Sequence, residues 1–308
     1  NMKLEIPPFF NGKNLFVQCI FLLLFILGGA SIFSAFGALT GLAFFSADSA
    51  GFLRWTQFWA SLGGFFVPAL LFSYCYNKQW FSYNFGNQTA PHNFFFIITI
   101  LSIFIIPAVS LLGYWNGLME LPEALAGIER WMQKMEEENG AIIEQLMGDS
   151  RISIFFANLI VMALVPALGE EFLFRGTIQP ICKRIFKNDH TAIWITAFIF
   201  SAIHLQFYGF IPRLLLGAYL GYLLYWSRSI WVPVCAHFLH NGITTAVVFV
   251  SNRKGINIDD SNPMDMPGSL PIMIISFIII TIGIYFLWKN RVLEKKNSSE
   301  IDHCYSNH

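Results

Sequence analysis

Charge is what this sequence lacks most. Only 12% of its 308 residues are Asp, Glu, Lys or Arg, against 55% that are hydrophobic, where a soluble globular domain carries about 25% charged residues. A water-soluble surface cannot be built from this composition, so lipid is the solvent for most of the chain. The 19 basic and 19 acidic residues cancel, which excludes the clustered positive surface that nucleic acid requires. Cysteine offers no framework either. Cys19, Cys75, Cys182, Cys235 and Cys304 are scattered without CxxC spacing, which argues against disulfides and against a Cys-based metal site. Cys304 stands one residue too far from the end for a prenylation box, so the chain is not expected to be a substrate of that kind itself. An HExxH metal motif and an inverted repeat of the transporter type are also missing.

What is present is a series of uncharged apolar runs. A membrane-spanning helix takes about 20 such residues. The runs Leu15 to Leu39, Trp55 to Tyr76, Phe94 to Tyr114, Ile154 to Phe174, Ala192 to Phe207, Phe210 to Trp226, Ile230 to Val250 and Leu270 to Trp288 qualify. They predict an all-α polytopic membrane protein, one membrane domain over 1–308 with a bundle of about eight transmembrane helices. The apolar run after Lys13 is too long for a signal peptide, so the first helix is expected to be retained. Basic residues gather at Lys3 and Lys13, Lys78, Lys183 to Lys187, Arg228, and Lys289 to Lys296. With eight spans these fall on one side, which the positive-inside rule makes cytoplasmic together with both termini. A bacterial inner membrane suits such a chain, as does the endoplasmic reticulum. The opposite side receives an acidic loop with Asp259, Asp260 and Asp265 and an amphipathic extracytoplasmic segment, 117–149. There Leu121, Leu125, Ile128, Met132 and Met135 recur at helical steps, as in a surface helix resting on the bundle or, alternatively, a gating lid. The polar stretch 297–308 is expected to be a disordered tail.

Ionisable groups inside spanning helices cost about 3 kcal/mol each, so each needs a partner or a task. Glu170, Glu171 and Arg175 follow an apolar run; His204 ends another; His237 and Asn241 lie in a third, near His240. Glu171 and Arg175 are four apart and share a helix face, whereas Glu170 points about 100° away. Glu170 is thereby the carboxylate free for chemistry. His237 and Asn241 also share a face. Glu170 and His204 lie equally far in sequence from Lys187, so an antiparallel hairpin would bring them to one level, provided that the fourth helix runs on through Pro180. A carboxylate, two imidazoles and an amide converging in a dry cavity supply a base for water, a proton donor for a leaving amine, and oxyanion donors.

At these residues the chain resembles the CAAX-protease and bacteriocin-processing family of intramembrane proteases, which includes the type II CAAX prenyl endopeptidases. The family's motifs EExxxR, FxxxH and HxxxN appear in order as Glu170-Glu171 with Arg175, Phe200 with His204, and His237 with Asn241. The likeness covers 154–250, the family's catalytic core.

The resemblance implies an endopeptidase that hydrolyses a peptide bond of a membrane-associated or lipidated substrate. In it Glu170 and His204 activate water, His237 and Asn241 hold the oxyanion, and Glu171, Arg175 and Phe200 give support. The family is often labelled metalloprotease, and Glu170, His204 and His237 can supply a zinc shell; a metal-free mechanism accounts better for Asn241. A prenylated C-terminal peptide, a bacteriocin leader or another membrane protein all suit a cytoplasm-facing cavity. Taken singly, the buried histidines suit hydrogen-bonded packing, and Glu171 with Arg175 a structural ion pair. The rival class is a non-catalytic scaffold or a transporter using the same buried polar cluster.

Overall fold

The computed structural model describes residues 9–10, 13–76, 90–255, 263 and 268–292. The acidic loop at Asp259, Asp260 and Asp265 and the tail 297–308 lie outside the described residues. The described elements are helices: α1 (Leu15–Gly41), α2 (Ala50–Ser61), α3 (Val67–Tyr76), α4 (His92–Gly117), α5 (Ala126–Met147), α6 (Ile152–Asn158), α7 (Val165–Leu173), α8 (Gln179–Phe186), α9 (Asp189–Ala202), α10 (Phe210–Ser227), α11 (Trp231–Lys254) and α12 (Ser269–Lys289). Local chemistry sets many of their ends. Asn14, Ser49 and Asn188 accept the backbone N–H groups of Val17, Phe52 and Thr191, satisfying donors that a helix start leaves unpaired. Lys187, Arg228 and Gly255 take left-handed backbone conformations and close α8, α10 and α11.

Three wide π-turns, Leu62–Phe66, Leu159–Leu164 and Phe174–Ile178, weld short helices into long ones. Each ends two residues before a proline, Pro68, Pro166 or Pro180. A proline has no N–H for the carbonyl four residues back, and its ring crowds that turn. The helix responds by bonding five residues back just before it: Val67 to Leu62, Val165 to Ile160, and Gln179 to Phe174. The fourth span therefore runs unbroken from Ile152 to Phe186, 35 residues, and continues past Phe174 as the depth argument requires.

Seven helices among the described residues are long and apolar enough to cross a membrane, and the protein is an all-α polytopic membrane protein. The remaining expected span, Ala192 to Phe207, is represented by α9, which has 14 residues. At 1.5 Å per residue it is about 21 Å long, less than a hydrocarbon core of about 30 Å. The chain leaves the helix after Ala202, with Leu205 at φ 52, and re-enters helix at a short turn, Phe207–Gly209. That turn is pinned by Asn116 of α4, which donates to the Phe207 carbonyl at 3.1 Å and accepts from Ile211 N at 2.7 Å.

The helix predicted between 117 and 149 is α5. Its C-terminal carbonyls are held by three polar side chains from three other helices. Arg54 and Asn158 donate to the Leu146 carbonyl at 2.5 and 2.9 Å, and Asn252 to that of Met147 at 3.1 Å. Near its other end Trp131 packs on Phe207, ring centroids 5.1 Å apart. Helix α5 thus lies over the end of the bundle where the 203–209 turn emerges.

Candidate active site

The centre of the site is a chain of charged contacts with almost no exposure. Glu171 is 0% exposed, Arg175 1% and His237 3%. Arg175 Nη1 donates to Glu171 Oε1 at 2.9 Å, the pair expected from their spacing. The same oxygen accepts from His237 Nδ1 at 2.7 Å. Arg175 Nη2 donates to the Gly217 carbonyl of α10 at 2.9 Å. One carboxylate therefore ties α7 to α11, and its arginine ties the following π-turn to α10. Buried charges survive only when compensated in this way.

Glu170, the adjacent residue, is free of this chain. Among the described residues its carboxylate meets only the far side of the His237 ring, Oε2 to Nε2, at 3.8 Å. His237 thus stands between the two glutamates, bonded to one and facing the other. A carboxylate can only accept, so His237 carries a proton on Nδ1 and turns Nε2 toward Glu170.

His204 is attached differently. Its Nδ1 lies 2.7 Å from the Phe200 carbonyl, which can only accept, so Nδ1 is protonated and Nε2 keeps its lone pair. Phe200 joins the two imidazoles, its ring centroid 5.1 Å from that of His204 and 6.1 Å from that of His237. The Arg175 guanidinium sits over the same ring at 4.8 Å. Phe200 is 2% exposed and is the apolar partition against which the charged groups are set.

Asn241, one turn beyond His237 on α11, donates to the Met162 carbonyl at 3.2 Å. Proline explains that bond. Met162 is four residues before Pro166, so its carbonyl has lost its usual helical donor, and the Asn241 amide supplies one. An amide nitrogen has two hydrogens, so one remains for another acceptor.

The structure thus links Glu171, Arg175, Phe200 and His237 in direct contacts, sets Glu170 against His237, brings His204 in through Phe200, and places Asn241 one turn away. Three participants were not foreseen. The carbonyls of Gly217 and Met162 are backbone groups, invisible to motif reading, although Pro166 signals the second. The bond from His237 to Glu171 is the third. Gly217 also packs tightly, a Cβ there standing 3.1 Å from Phe200 and 3.2 Å from Ala197.

His204 follows α9, whereas Lys187 and Arg228 lie at the other ends of α9 and α10. His204 therefore lies toward the end covered by α5, away from those basic turns. The zinc shell of Glu170, His204 and His237 does not fit this arrangement. Among the described residues no three His, Cys, Asp or Glu side chains gather as a metal would need.

Comparison with known proteins bears on the same stretch. Residues 152–243 match the family model described as type II CAAX prenyl endopeptidase Rce1-like. A Bacillus subtilis (strain 168) protein, "Uncharacterized protein YpbD", is 25% identical over 120 residues, 38% of this chain and 57% of that protein. The chain thus spans little more than half the length of this relative. No solved structure matches the chain. The matched stretch contains every residue of the three motifs, and over it the chain is similar to the family described as type II CAAX prenyl endopeptidase Rce1-like.

Proposed function

We propose that this protein is an intramembrane endopeptidase acting on a membrane-associated or lipidated peptide or protein. The observation that carries the reading is the contrast between neighbours: Glu171 is consumed by Arg175 and His237, while Glu170 faces only His237 Nε2 at 3.8 Å. A buried carboxylate without a hydrogen-bond partner is costly unless it has work to do.

In this reading a water lies between Glu170 and the lone pair of His204 Nε2. Its oxygen attacks the scissile carbonyl as Glu170 takes a proton. The oxyanion that forms is held by the proton on His237 Nε2 and by the second amide hydrogen of Asn241. The C–N bond then breaks, the proton on Glu170 passes to the leaving nitrogen, and a carboxylic acid and an amine are released. Glu171 holds the His237 ring in orientation, and Arg175 neutralises Glu171. No metal takes part.

The protein is placed in a bacterial inner membrane with the basic turns at Lys187 and Arg228, and both termini, in the cytoplasm. The substrate then enters from the α5 end. The test is cleavage of membrane-associated and lipidated peptides by detergent-purified protein, with Glu170→Gln and His204→Ala alongside. Cleavage by the wild type that both substitutions abolish supports the reading. A Glu170→Gln protein that cleaves as fast as wild type would sink it, and no cleavage of any peptide would favour a scaffold or transporter.

A further inference from the structure

Asn116 is a buried polar residue that the catalytic reading leaves unused. It stands at the end of α4, a helix that carries none of the motif residues and lies outside the stretch 152–243 that matches the family model. An amide in so apolar a helix is costly unless its donor and its acceptor are both satisfied. Both are satisfied on one segment, the turn that follows His204. Nδ2 donates to the Phe207 carbonyl at 3.1 Å, and Oδ1 accepts from Ile211 N at 2.7 Å. A carbonyl and an N–H four residues apart bond each other in an α-helix. Asn116 takes both, so α10 begins only at Phe210 and residues 203–206 stay out of helix.

The segment held in this way carries a strained residue beside His204. Leu205 has φ 52, a conformation that is unfavourable for a residue with a side chain and persists only where its surroundings enforce it. Ser201 Oγ donates to the Phe210 carbonyl at 2.8 Å, and Arg213 donates to the side chain and carbonyl of Gln206; both residues belong to the helices that the turn joins. Asn116 holds the turn from a third helix. At stake is the His204 ring, whose Nδ1 must keep its bond to the Phe200 carbonyl at 2.7 Å for Nε2 to keep its lone pair for water. We propose that Asn116 is a positioning residue for His204: by occupying the Phe207 carbonyl and the Ile211 N–H it keeps Leu205 left-handed and the imidazole fixed in its Nδ1–H form. This rests on the endopeptidase reading above. Without the amide, the Ile211 N–H is free to bond the Phe207 carbonyl. Helix α10 then lengthens at its start and Leu205 relaxes to negative φ, turning His204 off Phe200.

The experiment follows the imidazole and the reaction separately. Full-length protein containing isotope-labelled histidine is studied by NMR in detergent at about pH 8, where imidazole is neutral, with His204→Gln identifying the His204 signals. Wild type should show His204 as a single Nδ1–H tautomer. Asn116→Leu, similar in size but without polar atoms, should bring His204 to an average of the two tautomers and leave His237, bonded to Glu171, unchanged. On a stearoylated peptide that the wild type cleaves, Asn116→Leu should lower kcat about 10- to 100-fold, the effect of a misplacement of about 1 Å, with KM within about twofold. Glycine takes a left-handed conformation without steric cost. Adding Leu205→Gly, at an exposed side chain, should therefore restore most of kcat and the Nδ1–H signal, which a general loss of structure would not allow. A wild-type His204 that already averages between tautomers overturns the proposal with no Asn116 variant made. So does an Asn116→Leu protein whose His204 signal is unchanged, and so does one in which His237 shifts as much as His204. A His204 signature that depends on Asn116, with no cleavage of any peptide by the wild type, would instead count against the endopeptidase reading and leave the positioning role standing.

Discussion

Replacing Glu171 by Gln and replacing Glu170 by Gln should have opposite consequences, although the residues are adjacent. Glu171→Gln removes the charge that compensates Arg175, whose side chain is 0% exposed. Breaking a buried pair from one side costs about 3–5 kcal/mol, because the surviving charge is left in a low-dielectric site. The amide oxygen can still accept from Arg175 or His237, which holds the loss to the lower part of that range. Glu170→Gln removes a carboxylate whose nearest ionic partner is 3.8 Å away, beyond a hydrogen bond. It gives up little and relieves a buried charge, so stability should change by less than about 1 kcal/mol or rise. Activity should divide the other way. Loss of the proposed general base should lower peptide cleavage by at least about 100-fold in a protein that unfolds at the wild-type midpoint. The assay is denaturant unfolding in detergent micelles, with the double variant Glu171→Gln/Arg175→Met included. Removing both charges should restore most of the stability that the single variant loses. The reasoning fails if Glu171→Gln costs less than about 1 kcal/mol, or if Glu170→Gln costs as much.

Further tests address other parts of the molecule. A methyl group at Gly63 would run into the Gly29 carbonyl and the Phe33 side chain, so Gly63→Ala should lower stability by about 1–3 kcal/mol, whereas Gly113→Ala, with open space around it, should not; thermal unfolding checks both. Arg54 donates to Asn158 at 2.7 Å and to the Leu146 carbonyl, so Arg54→Gln should free the C-terminal end of α5. Faster hydrogen exchange in 140–147 would show it, and unchanged exchange would refute the clamp. Burial raises the Glu136 carboxyl above the usual range, outweighing the Arg213 charge and the Tyr208 backbone donor. A carboxyl whose docked value is raised stabilises docking at low pH and loses that effect as pH rises through the docked value. Proteolytic nicking of α5 should therefore slow between about pH 7 and about pH 5, and Glu136→Gln should be nicked slowly at both.

The parts of this protein legible in its sequence are those governed by one helix at a time. Apolar runs identified the spans, and the four-residue step from Glu171 to Arg175 identified their bond, because both follow from helix geometry alone. The short helix α9 was misjudged by the same logic. The run Ala192 to Phe207 holds no Asp, Glu, Lys or Arg, but Asn116 of α4 and the left-handed Leu205 turn the chain back after Ala202, and neither leaves a mark on hydropathy. Contacts between helices have no sequence period, so the bonds of His237 to Glu171 and of Arg175 to Gly217 were not foreseen.

Proline carries a further signal in this sequence. Each of Pro68, Pro166 and Pro180 is preceded by a π-turn, and a wide turn rotates the helix beyond it. The turns at Leu159–Leu164 and Phe174–Ile178 bracket the α7 segment that carries Glu170 and Glu171. They set the angle at which the two carboxylates reach α11. At that angle His237 donates a hydrogen bond to one glutamate and presents its other nitrogen to the next. A regular helix through the same residues would rotate the pair relative to His237. Pro166→Ala, which restores the donor for the Met162 carbonyl, should therefore be stabilising by helix propensity yet make Asn241 share that acceptor in a rotated helix and damage cleavage. A variant that is both more stable and fully active would show that the π-turn has no part in positioning the site.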